Sequence, residues 1–252
     1  MPKLTAMMIV RNEADRYLQR CLAALTELAD EIIILDDAST DATPEICTSF
    51  HQVKLHQKKK PLFLHDEAAL RHELWELVCA TDPEWILAID ADELFEPQAT
   101  VEMRYLLKQD CFSSISFRLY DCWGSEDYFR ADGLWNPWLR GFTPYIVKYQ
   151  PQLSSRWPSL KFHCGRLPLA YRRLPHLESN LRIKHLGWLN QKDIQNKYKR
   201  ALEQDPDCIY FSRDHYESIL YPPGKIFLKT LGGTNSQKLN IIQVDTKKTQ
   251  IP

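Results

Sequence analysis

No glycine stands among the first 123 residues; all eight lie at or after Gly124. That absence excludes a G-x-G-x-x-G fingerprint and a Walker A loop from the amino-terminal half, because both need glycine where backbone meets phosphate. A nucleotide bound there is held without a glycine cradle. Long apolar runs are missing too, and none approaches the roughly 20 residues that cross a bilayer. The start, "MPKLTAMMIVRNEADR", passes from a short apolar stretch straight into charge with no small-residue cleavage site, so it reads as a first strand rather than a signal peptide. Among seven cysteines (Cys21, Cys47, Cys79, Cys111, Cys122, Cys164 and Cys208) no C-x-x-C pair occurs, which argues against a zinc ribbon or a thioredoxin-type site. Their scatter fits reduced core thiols, and a cytoplasmic location is expected. An excess of one charge sign is also absent. The net charge is −1, so nothing calls for nucleic acid, although peripheral membrane contact stays open. Lys58-Lys59-Lys60 reads as a solvated loop.

What is present is an ordinary globular composition, 44% hydrophobic and 26% charged over 252 residues, enough for one large domain or two small ones. Residues 4–10 are strand-like. Residues 13–29 place Leu18, Cys21, Leu22, Leu25 and Leu28 on one helical stripe. "EIIIL" at 31–35 is a β-branched run without alternation, as in a strand covered on both faces. Thr43 is a candidate N-cap with Pro44 opening a helix. Residues 52–57 form a short strand, and 66–80 a helix with Leu70, Leu74, Leu77 and Val78 inward. Residues 84–90 are again a strand, Pro97 opens a helix to about Lys108, and 114–120 are a further strand. This alternation predicts an α/β chain with a mostly parallel sheet and helices on both faces. After residue 120 the character shifts, and five of the seven tryptophans fall between 123 and 188. "LRIKHLGWL" reads as strand and turn, and 190–205 as a helix capped at Asn190.

In open sheets of this kind, ligands bind beyond the carboxyl ends of strands. Asp36-Asp37 and Asp90-Ala91-Asp92 both lie there. On extended backbone Asp90 and Asp92 point the same way, and two carboxylates on one face suit Mg²⁺ or Mn²⁺, with phosphates and waters completing the shell. A cation also relieves the repulsion among Asp90, Asp92 and Glu93.

"MMIVRNEADRYLQRCLAAL", "DEIIILDDASTDAT" and "WILAIDADE" occur in that order. Together they resemble family-2 glycosyltransferases of the GT-A fold, well over 4–110 and moderately over 160–205. The resemblance implies a Rossmann-like nucleotide-diphospho-sugar transferase fold in a single domain with a C-terminal helical extension. It divides into a sugar-nucleotide half at 1–110, an acceptor half at 111–220 and an extension at 221–252. It implies that Asp37 binds the nucleotide base, that Val10 and Asn12 line the base pocket, and that Asp36 and Ser39 shape the turn. Arg71 reaches the nucleotide or diphosphate, Asp90 and Ala91 meet the nucleotide sugar, and Asp90 and Asp92 hold the cation. His185 fits a further metal ligand, with His163 as a second candidate. Lys184 and Arg166 can offset phosphate charge.

The implied reaction is hexosyl transfer from a nucleotide sugar, UDP by default, to a hydroxyl of a glycan, a lipid-linked glycan or a protein. It proceeds with inversion and is assisted by Mn²⁺ or Mg²⁺. A carboxylate must take the acceptor proton. Asp121, Glu126, Asp127 and Asp132 are the candidates, Asp132 first and then Asp127, with Arg130 placed to orient either. Related subfamilies often show His-Glu where this chain has His163-Cys164, and cysteine is a poor base. Trp123, Trp135, Trp138 and Trp157 serve either the core or an acceptor platform. Three other readings compete. A metal-dependent nucleotidyltransferase normally needs a glycine-rich loop after the first strand, and a phosphohydrolase wants an aspartate there. A catalytically degenerate GT-A binding module would show no manganese-dependent turnover.

Overall fold

The computed structural model describes residues 2–160 and 163–232. They fall into two compact units: residues 2–118 with the described residues of 142–183, and Leu119–Gly141 with the described residues from Lys184 onward. In chain order the first unit builds β1 (Leu4–Val10), α1 (Leu18–Leu25), β2 (Glu31–Asp36), α2 (Thr43–Thr48), β3 (Val53–Gln57), α3 (Glu67–Cys79), β4 (Trp85–Ala88), β5 (Glu93–Phe95) and α4 (Ala99–Leu106). β6 (Ser114–Trp123) passes into the second unit, which adds β7 (Tyr128–Arg130) and α5 (Pro137–Arg140). β8 (Thr143–Lys148) belongs to the first unit, and β9 (His176–Trp188) runs back into the second. There α6 (Gln191–Gln204), α7 (Arg213–Glu217) and β10 (Leu228–Thr230) follow.

In the first unit the strands run β3-β2-β1-β4-β8-β6. β3, β2, β1 and β4 are parallel, with Val10 beside Asp36 and Met7 beside Ala88. β8 and β6 then join antiparallel, so the parallel set carries an antiparallel flank. Met7, Ile33, Leu35, Ile86, Ala88 and Val147 face Leu70, Leu74, Trp75 and Val78 of α3. Ile32 and Ile34 are equally buried on the opposite face, as strand alternation requires. Each such aliphatic side chain contributes roughly 1.5–3 kcal/mol by leaving water. Trp75, not Leu77, completes the buried stripe of α3, and the Asp66 carboxylate caps that helix at Ala69 N, 2.9 Å away.

Two local expectations need correction. α1 starts at Leu18 rather than near residue 13, because Glu13 N and Ala14 N donate to Thr43 Oγ1 and Asp41 Oδ2 instead of entering a helix. For the same reason Thr43 is not the N-cap of α2. Ala42 takes that place, and the Thr43 hydroxyl is used on Glu13.

The core of the second unit is aromatic. Trp123 stacks on Trp188 at 5.2 Å, and Trp135 meets both edge-on. The buried Arg130 guanidinium lies 4.7 and 4.9 Å from the Trp123 and Trp135 rings. These tryptophans are core. Trp157 is partly buried in the first unit, and Trp138 is half exposed. Asn190 caps α6 as its sequence predicts, 2.8 Å from Asp193 N. Of the segment expected to be peripheral, Ile226 is buried among the aromatics and β10 pairs with β7. Its remainder, from 233, lies outside the described residues. Among the described residues no helix is long and apolar enough to cross a membrane.

Candidate active site

The loops after β1 and β2 are laced together at the carboxyl edge of the parallel strands. Asp37 N donates to Val10 O, Asn12 N to Ser39 Oγ, and Thr40 N to Asn12 Oδ1, all at 2.8–2.9 Å. Asn12 and Ala38 adopt left-handed backbone, at φ 53° and 59°, and asparagine tolerates that conformation best among non-glycine residues. Asp36 shapes its turn by accepting from Ser39 N and Oγ. Asp37 is fully buried, and its two oxygens accept from Leu62 N at 2.6 Å and Phe63 N at 3.0 Å. It therefore ties the segment leading into α3 to the end of β2.

The acidic stretch is a turn, not a continued strand, because β4 ends at Ala88. Asp90 N donates to Glu93 Oε2, and Glu93 N to Asp90 O, both at 3.1 Å. The same-face expectation for Asp90 and Asp92 held only for extended backbone, and it fails here. The two carboxylates meet different arginines. Asp92 Oδ2 lies 3.5 Å from Arg16 Nη2, while Arg16 Nη1 also holds both Glu13 oxygens. Arg166 donates from Nε and Nη2 to Asp90 Oδ2 at 3.1 and 2.6 Å, and from Nη2 to Glu93 Oε1 at 2.5 Å. Its guanidinium lies 4.8 Å from the Tyr145 ring, and the Tyr145 hydroxyl donates to Glu93 Oε1. Ala91 is buried. Burial pushes the Asp90 carboxyl up, but Arg166 and then Arg71 outweigh it and hold it below the usual carboxylate range. Arg71 is itself oriented by Glu67, Nε to Oε1 at 2.7 Å.

The loop carrying Arg166 is pinned on both sides. Arg172 donates to Cys164 O and, at 2.7 Å, to Leu167 O, and Trp157 Nε1 donates to Gly165 O. Gly165 has φ +79°, and a Cβ there would sit 2.7 Å from the anchored Arg172 guanidinium. Gly165→Ala is therefore expected to lower stability by about 2 kcal/mol, read as a fall in the thermal or denaturant midpoint. Cys164 is buried beside Glu67, and burial first, then Glu67, pushes its thiol up to about 12, so it is no base. His163, at φ 58°, is exposed.

In the second unit His185 Nδ1 lies 2.6 Å from Asp121 Oδ1, and Lys197 Nζ lies 2.9 Å from His185 Nε2. Lysine only donates, so Nε2 accepts and the ring proton sits on Nδ1 toward Asp121. The nitrogen a cation would take is thus the one Lys197 uses. Asp121 is buried and also meets Trp188 Nε1 at 3.0 Å and Arg140 Nη2 at 2.7 Å. Lys184 Nζ reaches Glu126 O. Asp132, the first-choice base, has both oxygens on Arg130, from Nε at 2.9 Å and Nη2 at 2.8 Å, and accepts from Phe227 N as well. Asp127 is exposed, with its N–H on Ser125 Oγ.

Among the described residues no three His, Cys, Asp or Glu side chains gather as a metal cage. The donor chemistry still fits a hard divalent cation of the kind that keeps its waters and takes one or two carboxylates plus substrate phosphates. Arg16, Glu67, Tyr145 and Arg172 escaped the sequence reading. The one signal was glycine in "HCGR", the mark of a left-handed turn.

A model of glycosyl transferase family 2 matches residues 5–165. The chain belongs to glycosyl transferase family 2. Curated relatives include a TPR repeat-containing protein of Synechococcus elongatus, 38% identical over 109 residues, which are 43% of this chain and 25% of that protein. The SPbeta prophage-derived glycosyltransferase SunS of Bacillus subtilis is 25% identical over 208 residues, 80% of this chain and 44% of SunS. The family 2 chain thus spans a quarter to about half the length of the curated relatives it matches. Among solved structures, TarS 1–349 of S. aureus superposes with TM-score 0.56 at 14% identity over 86% of this chain and 69% of that one. Its complex with UDP-GlcNAc gives 0.54 at 14% identity, over 86% and 70%. These likenesses show the fold, which is of the GT-A type.

Proposed function

We propose that this chain transfers a sugar from a nucleoside-diphosphate sugar, with uridine the base of choice, to an acceptor hydroxyl, with inversion at the anomeric carbon. The observation that carries this reading is the acidic turn Asp90–Glu93 at the end of β4. Arg166 sits directly upon it, Arg16 lies against Asp92, and Arg71 is close enough to lower the Asp90 carboxyl. A cation needs such carboxylates, and a diphosphate needs such arginines. A bound Mn²⁺ or Mg²⁺, with Asp92 as its protein ligand, would supply Lewis-acid stabilisation of charge growing on the departing diphosphate.

The chain's own residues do the rest. Val10, Asn12 and Asp37 shape the edge that receives the nucleoside, and Asp37 also fixes the segment that precedes α3. Arg71 and Arg166 neutralise phosphate oxygens, with Arg71 preset by Glu67. Of the acceptor-half carboxylates, Asp127 is assigned the acceptor proton. Proton uptake by Asp132 would break its paired hydrogen bonds to Arg130, whereas Asp127 carries no ion pair among the described residues. SunS is named a glycosyltransferase, and TarS has been crystallised with UDP-GlcNAc, which supports this assignment of donor class.

A melting experiment with UDP, GDP and dTDP, each with and without Mn²⁺, tests the reading. Ligand at a hundredfold excess over its dissociation constant adds about 2.7 kcal/mol to apparent stability. The expected result is a clear upward shift with UDP that requires Mn²⁺. Melting curves unmoved by all three nucleotides refute it.

A further inference from the structure

The acidic turn already has a cation, and it is Arg166. Glu93 is almost completely buried and shares Arg166 Nη2 with Asp90, the two contacts being 2.5 and 2.6 Å. A buried carboxylate without a counter-charge is strongly destabilising, so a positive group must stand there whenever no metal does. The guanidinium is seated as well as charged. Its carbon lies 4.8 Å from the Tyr145 ring, and the Tyr145 hydroxyl hydrogen-bonds the same Glu93 oxygen that Arg166 uses. The flanking backbone is fixed through Arg172, Gly165 and Trp157, which leaves movement to the side chain rather than to the loop.

We propose that Arg166 is a built-in counter-ion that closes Asp90 and Glu93 against a free divalent cation, so that Mn²⁺ binds tightly only together with a nucleoside diphosphate. The inference rests on the reading of this turn as a cation–diphosphate site and adds an order of events to it. Asp90 Oδ2 carries two guanidinium contacts, and the positive charge of Arg166 2.6 Å away repels a second cation at that carboxylate. A diphosphate offers Arg166 the planar, bidentate partner that guanidinium prefers, and its negative charge replaces what Asp90 gives up. Asp92 lies against a different arginine, Arg16, and with Asp90 and Glu93 neutralised by Arg166 it holds a free cation only weakly. Ligand exchange at Arg166 thereby couples metal uptake to nucleotide uptake, with each raising the affinity for the other.

The test is a titration of the full chain with Mn²⁺, reading free Mn²⁺ by its electron paramagnetic resonance signal. Wild type is expected to bind Mn²⁺ weakly alone and about tenfold or more tightly with UDP present. Arg166→Met is expected to bind Mn²⁺ alone about tenfold more tightly than wild type and to lose most of the gain from UDP. A folded Arg166→Met that binds Mn²⁺ alone no more tightly than wild type overturns the proposal. If that variant does not fold, Arg166→Gln, which keeps hydrogen bonds without charge, is judged by the same criterion. Failure of wild type to take up Mn²⁺ even with UDP instead overturns the reading of the site itself. The two failures are distinguishable, because the variant comparison is made without nucleotide.

Discussion

Replacing Asp92 by asparagine is expected to lower the turnover number for sugar transfer by about a hundred- to a thousandfold, the usual loss when a preorganised group facing transition-state charge is removed. The amide keeps the shape of the side chain but gives up the negative charge that a hard cation requires. The fold should survive the change. Asp92 is buried, but asparagine fills the same space, and its partner Arg16 keeps both Glu13 oxygens at 2.7 and 2.8 Å. The melting temperature without ligand is therefore expected to stay close to wild type, while the Mn²⁺-dependent shift with UDP disappears. Steady-state kinetics at saturating donor, run beside the melting curves, separates loss of chemistry from loss of structure. An Asp92→Asn enzyme with wild-type turnover in Mn²⁺ contradicts the assignment.

The parallel strands, α3 and the Asn190 cap of α6 were legible because each rests on a local pattern: β-branched runs, a 3.6-residue stripe, and a side chain that accepts from the amide three residues on. The turn at Asp90 was not legible in the same way. A two-residue spacing predicts a common face only while the backbone stays extended, and nothing in "IDADE" announces that β4 has ended at Ala88. Arg166 stands 76 residues from Asp90, and a pairing across that distance leaves no mark in a single sequence. Composition pointed to the tryptophans of the second half without deciding their use. Two of them, Trp123 and Trp135, flank Arg130, whose remaining donors reach Asp132 and Ser218 O. A buried arginine donates to both Asp132 oxygens, a pairing that its place in an acceptor-side loop did not suggest. α1 lost its first turn to hydrogen bonds with the loop after β2, a contact made only once β1 and β2 lie side by side.

Asp121→Ala is expected to destabilise the protein by about 3–5 kcal/mol, the range for stripping one partner from a buried ionic cluster. For a chain of this size that is a fall of roughly 10 °C in melting temperature. The carboxylate is almost wholly buried, and it meets His185 Nδ1, Trp188 Nε1 and Arg140 at once. Its acidity carries the same information. Burial works to raise the Asp121 pKa, but Arg140, then His185 and Lys197, overcome it and bring it down to about 2. A folded-state value below the unfolded one means that the stabilisation is fully present above the unfolded value of 3.8 and is lost as pH falls through 2. The shift corresponds to about 2 kcal/mol. Urea titrations at pH 7, 3 and 2 should therefore show wild type losing this contribution on the acid side. In Asp121→Ala the same limb is flatter by that amount, because the group that titrates there is gone. A variant as stable as wild type at pH 7, or one whose acid limb is as steep, would mean that Arg140 finds its counter-charge, and His185 Nδ1 its acceptor, elsewhere.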